Sequence, residues 1–224
     1  MQTLNDVTVT SVLVTIGLSV LMAAYLIRMW FHQEHRLNTD LPLMFGIVFL
    51  AQAVNNLIRL LPMVGILEMT LELFRVRALV IIATSFPLLG VVLHIWLPGI
   101  RRHHMKILAA LVTYWVVAAL LGPTEETIIL LVMPVILTLT IGMVLTFAVT
   151  WKTSRLKEVR SDLMVVSFIF GILSQVVATD ILLNNVLTAL ATLLATLGLT
   201  NPWRSRKTVE MTTRPTIVPR SRLA

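Results

Sequence analysis

The chain has 224 residues, a mean hydropathy of +0.90, 57% hydrophobic residues and only 13% charged ones. A soluble domain of this size is about half apolar and about a quarter charged, so the excess apolar surface calls for lipid as its solvent. No cysteine is present, which excludes disulfides, thiolate nucleophiles and cysteine-ligated metals.

A helical span takes about 20 apolar residues. The apolar runs are long and continuous, unlike the alternating strands of a membrane barrel. Seven segments follow in chain order: 7–31, 41–61, 67–97, 107–121, 127–151, 163–179 and 181–203. Residues 1–6 carry Asp6 and no Lys or Arg, whereas a signal peptide has a basic start. The first segment is therefore expected to be retained. Pro62 to Gly65 and Gly122-Pro123-Thr124-Glu125-Glu126 punctuate the pattern as turns. Residues 163–203 are too long for one crossing at 1.5 Å per residue, so a turn is placed near Thr179-Asp180. Pro87 and Pro134 are expected to kink the third and fifth helices.

Charge sets an expected orientation. Fifteen of the 18 Lys and Arg fall on one side. They are Arg28 and Arg36; Arg101, Arg102 and Lys106; Lys152, Arg155, Lys157 and Arg160; and six between Arg204 and Arg222. Arg59, Arg75 and Arg77 fall on the other. The positive-inside rule makes the first side cytoplasmic. Trp30, Trp96, Trp151 and Trp203 end the first, third, fifth and seventh segments on that same side, where indoles favour the interface. The expected fold is thus an all-α, seven-transmembrane-helix bundle in the cell membrane, N-terminus outside and C-terminus cytoplasmic. Residues 1–203 are expected to form the bundle and 204–224 a basic, disordered tail. The expected partners are the bilayer, with anionic lipid at the cytoplasmic face, and a cytoplasmic or membrane protein. Nucleic acid is not expected, because the loops that make the chain basic are explained by topology.

Polar residues are costly in lipid and usually face the bundle interior. In the second segment Gln52, Asn55, Asn56 and Arg59 stand at i, i+3, i+4 and i+7 and share one face. They read either as an outward polar pocket or as interhelical hydrogen bonding with Arg59 snorkelling to the headgroups. Glu72 and Arg75 are i, i+3 neighbours that can pair, while Arg59, Arg75 and Arg77 form a candidate anion-binding rim. Asp180 either caps the seventh helix or balances Arg59 or Arg75. Gln175, Asn184 and Asn185 lie near it and complete the candidate ligand-binding set. Asn184, Thr188, Thr192, Thr196 and Thr200 repeat at i+4 along the seventh helix, with Ser11, Thr15 and Ser19 a shorter counterpart in the first. Small hydroxyl residues of this kind favour close packing. The second and sixth segments align Phe45 with Phe168 and Ala51-Gln52 with Ser174-Gln175, each after a basic loop ending in an acid (Asp40, Asp162). That would suit a three-plus-one-plus-three duplication, although chance similarity between apolar helices explains so few identities.

No catalytic residue, cofactor or metal is expected. The chain has no nucleotide-binding glycine loop, no His-Glu-x-x-His and no nucleophile elbow. His94 alone lies well inside a helix, so a bis-histidine haem lacks its second deep ligand. His32-x-x-His35 and His103-His104 have no carboxylate pattern to support a metal.

Helix count and orientation resemble the heptahelical receptor-like group. The seventh segment has no lysine to hold retinal as microbial rhodopsins do, and Asn201-Pro202 lacks the tyrosine of the receptors' Asn-Pro-x-x-Tyr motif. Small sugar transporters of the SWEET type are similar in length, helix count and orientation, without their Pro-Gln loop signature here. Seven-helix input domains of sensor kinases are similar in architecture alone. No family is assigned. The leading expectation is a non-enzymatic sensor or receptor-like bundle with an outward polar pocket around Asn55, Asn56, Arg59 and Asp180, signalling to a cytoplasmic partner. The alternatives are a small-solute or ion transporter and a structural subunit of a larger complex.

Overall fold

A computed structural model describes residues 2–33, 37, 40–153 and 159–203. The described residues form seven α-helices and no strand: α1 (Gln2–Phe31), α2 (Leu41–Met63), α3 (Leu71–Trp96), α4 (His104–Leu121), α5 (Glu125–Thr153), α6 (Ser161–Val176) and α7 (Ile181–Thr200). A short 3-10 helix, Pro98–His103, joins α3 to α4. Six helices are long and apolar enough to cross a membrane, and α6, with 16 residues, is shorter. The chain is therefore a multi-pass helical membrane bundle. The tail from Arg204, and with it Arg36, Arg155, Lys157 and the His35 partner of His32, lie outside the described residues.

Local chemistry explains where the helices differ from the sequence reading. α3 starts at Leu71 rather than residue 67 because the Thr70 hydroxyl caps it, accepting from the Leu73 N–H at 3.3 Å. α6 and α7 are two helices, as expected, but α6 ends at Val176 and the turn takes up 177–180, where Asp180 caps α7 by accepting from the Leu183 N–H at 3.1 Å. α7 stops at Thr200 because Asn201 takes a left-handed conformation (φ 39°) and Pro202 follows. Gly65, at φ 73°, makes the turn out of α2. α3 and α5 run through Pro87 and Pro134 as single helices.

Six helices close into a ring in the order α1, α2, α3, α5, α6, α7, with α7 back against α1. α4 lies outside it, against α3 and α5. The outward faces are apolar: Val14, Leu21, Leu130, Leu137, Ile141 and Leu145 are all exposed mid-helix. A soluble monomer rarely exposes so continuous an apolar surface, and lipid is the solvent that accepts it.

One end of the ring, the tryptophan end, holds Trp30, Trp96, Trp151 and Trp203, and the other, the asparagine end, holds Asn55, Asn56, Asn184 and Asn185. Towards the tryptophan end, Leu26, Phe45, Val48, Phe49, Leu89, Leu93, Met143, Phe147, Met164 and Leu199 pack into one buried core drawn from all six ring helices. Phe168 bridges it, stacked on Phe147 (centroids 5.8 Å) and edge-on to Phe45 (6.2 Å). Trp96 donates to the Thr146 hydroxyl at 2.7 Å, tying α3 to α5. A second core fixes α4: Trp115, fully buried, packs with Ala78, Ala118, Ala119, Ile128 and Val132 and donates to the Ala78 carbonyl at 3.0 Å.

The hydroxyl stripe of α7 serves packing. Thr192, Thr196 and Thr200 each donate to the carbonyl one turn back at 2.9 Å, and Thr192 and Thr196 are buried. Ser167 of α6 donates to the Ala191 carbonyl at 2.7 Å. At Gly198 a Cβ would meet Met164 at 3.0 Å and the Arg160 carbonyl at 3.2 Å, and the Gly198 carbonyl accepts from the Arg160 N–H at 2.8 Å. Such backbone approach is the role small residues play between membrane helices.

Candidate functional site

The i, i+3, i+4, i+7 face of α2 carries Gln52 and Asn55, both half-buried, then Asn56, buried, then Arg59, half-buried near the end of the helix. The structure brings this face to α3 and α7. Arg59 Nη1 donates to Asn184 Oδ1 in a long hydrogen bond of 3.5 Å. Asn184 in turn donates through Nδ2 to the Ser174 carbonyl of α6 at 2.6 Å. Arg77, two turns into α3, donates through Nε to Asn55 Oδ1 at 3.3 Å. Asn185 donates to the Ser11 hydroxyl of α1 at 2.9 Å. Five helices thus meet through amides and guanidinium groups at one end of the ring.

Asn184 and Asn185 are both buried although adjacent in sequence. They point about 100° apart on the helix, so one reaches α6 and α2 while the other reaches α1. Each amide is both donor and acceptor. That lets Asn184 accept from a charged donor while satisfying a helix-end carbonyl, which a leucine could not do.

The rim expected from Arg59, Arg75 and Arg77 divides in two. Arg75 is neutralised by Glu72 on its own helix and donates to the Gly122 carbonyl at 3.1 Å, securing the α4–α5 turn to α3. Glu72 is exposed. Arg59 and Arg77 instead contact neutral amides, and among the described residues neither has a carboxylate in ion-pair contact.

Asp180 does not supply the missing charge. It is exposed and its carboxylate caps α7, which answers the pairing expected for it with Arg59 or Arg75: Arg59 has turned to Asn184 and Arg75 to Glu72. Gln175 is exposed at the end of α6, and among the described residues no side-chain hydrogen bond joins it to the cluster. Arg77 was legible only as part of the rim, because its link to Asn55 runs between two helices. The Ser174 carbonyl carries no sequence signal at all, since it is backbone.

His94 and His104 meet at the opposite end. Their rings lie edge to face with centroids 6.4 Å apart, and His104, buried, is held by the Leu97 carbonyl at 2.8 Å. No group of three or more metal-ligating side chains occurs among the described residues. Comparison with known protein families, with curated proteins and with solved structures finds no match for this chain.

Proposed function

We propose that the chain is a non-enzymatic, sensor-like membrane protein that binds a small ligand in the polar cluster of the asparagine end. The observation that carries this reading is the contrast along the ring. One end is joined by Arg59, Arg77, Asn55 and Asn184, and the other is filled by an interlocked core of Phe, Met and Leu side chains. A site backed by a packed apolar core suits one-sided binding better than passage. Read with the positive-inside rule, the asparagine end faces outward, all seven helices cross, and α6 spans as a short helix. The ring core then couples the site to the cytoplasmic loops, where a protein partner would read it, and the membrane is the cell membrane.

A small-solute transporter is the second reading, favoured by one specific feature. The ring order α1, α2, α3, α5, α6, α7 with α4 outside is what a twofold rotation relating helices one to three with five to seven produces. Phe45 and Phe168, equivalent in the aligned α2 and α6, meet in the core, as residues near such an axis would. Parallel repeats of this kind occur in transporters.

Purification of the full chain in mild detergent, with mass spectrometry of what stays bound, tests the proposal. A sensor retains a small polar molecule or a cytoplasmic partner and gives no solute uptake in proteoliposomes. Uptake of a solute into proteoliposomes would replace sensing with transport.

A further inference from the structure

We infer that the ligand group held at the asparagine end is an oxyanion, a phosphate or carboxylate, gripped between Arg59 of α2 and Arg77 of α3. This deepens the ligand-binding reading above and rests on it.

Charge accounting carries the inference. Three arginines occupy this end of the bundle, and the structure sorts them by partner. Arg75 has its carboxylate, Glu72. Arg59 and Arg77 have only amide oxygens, at 3.5 and 3.3 Å. Both are half-buried inside helices of a membrane bundle, where an unpaired charge is costly. They are also neighbours: Asn55, the acceptor for Arg77, is one helical turn from Arg59 on the same face of α2, so Arg77 is anchored one turn from the residue that carries the other guanidinium. A bundle that needed only an interhelical bond here would be served by a neutral side chain. Two guanidinium groups on adjacent helices offer a fork of N–H donors matched to an oxyanion, and the described residues occupy one donor on each.

The neighbours fit the same chemistry. Asn55 and Asn184 spend their side-chain oxygens on the arginines, which orients the guanidinium planes without neutralising them. Glu125, at the start of α5, forms no ion pair with either arginine among the described residues. Asp180 is committed to its helix cap.

The test is thermal unfolding of the full chain in an uncharged maltoside detergent, titrated with sodium phosphate, sodium acetate or dihexanoyl phosphatidylglycerol against sodium chloride of equal ionic strength. The expected result is saturable stabilisation by at least one of the three anions beyond that by chloride. Its midpoint should weaken at least tenfold in Arg59→Gln and in Arg77→Gln and stay unchanged in Arg75→Gln. Arg59→Lys and Arg77→Lys, which keep the charge and lose the fork, should fall between and guard against a variant that fails to fold. Stabilisation by phosphate or acetate without lipid assigns the anion to a solute, whereas stabilisation by the phospholipid alone assigns it to a headgroup. No anion-specific stabilisation, or equal stabilisation of Arg59→Gln and Arg77→Gln, would overturn the assignment. Protection by a neutral molecule that Asn56→Leu abolishes would sink the oxyanion while leaving the pocket. Anion-dependent uptake into proteoliposomes would keep the oxyanion and sink sensing.

Discussion

The two ends of the helix ring use the same backbone geometry for opposite purposes. At the tryptophan end all six ring helices contribute apolar side chains to a continuous core, and Phe45, Phe147 and Phe168 interlock across it. At the asparagine end five of these helices meet through long or amide-mediated hydrogen bonds, with two cations that have no carboxylate partner among the described residues. In lipid, apolar surface gives little drive for helices to associate, so packing quality and hydrogen bonds decide stability. The first end has that packing. The second gives up some of it to present charge, which is the pattern of a stability–function trade-off.

Substitutions can break or sharpen that contrast. The largest effect is expected from Phe147→Ala, which removes a buried ring stacked on Phe168. It should cost about 3 kcal/mol in thermal or denaturant unfolding and leave the anion response of the folded fraction intact. Gly198→Val comes next, because a branched side chain must displace Met164 and approach the Arg160 carbonyl. A loss of about 2 kcal/mol is expected from overpacking, read from the same melts. Asn184→Ala acts at the other end. It frees the Ser174 carbonyl and the Arg59 guanidinium at about 1 kcal/mol, and its larger effect should be a weakened anion midpoint. An Asn184→Ala chain as unstable as Phe147→Ala would mean that the asparagine end is part of the structural core after all. The smallest effect is at Asp180. Asp180→Asn keeps a capping oxygen and should change stability by no more than a few tenths of a kcal/mol, while Asp180→Ala loses about 1 kcal/mol. A large loss of stability or anion response in Asp180→Asn would restore this carboxylate as a counter-ion.

Much of this architecture was legible in the residues, for identifiable reasons. Continuous apolar runs located all seven helices because period and length are local properties. Boundaries moved where a single residue decided them, as Thr70 does at the start of α3 and Asn201 at the end of α7, whereas the start of α7 at its Asp180 cap stayed where the sequence placed it. The polar face of α2 was legible because i, i+3, i+4, i+7 spacing is also local. What that face touches was not. Arg77 meets Asn55 and Arg59 meets Asn184 only because α2 lies beside both α3 and α7, and nothing in a run of apolar residues fixes which helices are neighbours. The choice of Glu72 over Asp180 for Arg75 has the opposite character, since an i, i+3 pair on one helix needs no tertiary information. Local pairs were predictable and long-range ones were not, and the unpaired arginines appear only once both kinds are known.

The central claim is that the asparagine end opens to the outside while the ring core is sealed. The chain has no cysteine, so single substitutions report without background. Asn55→Cys and Val48→Cys, on the half-buried polar face and in the apolar core respectively, can be exposed in intact cells to a membrane-impermeant thiol reagent. The account predicts rapid labelling of Asn55→Cys and none of Val48→Cys. Labelling of both at similar rates, or of Asn55→Cys only after the cells are opened, would contradict it.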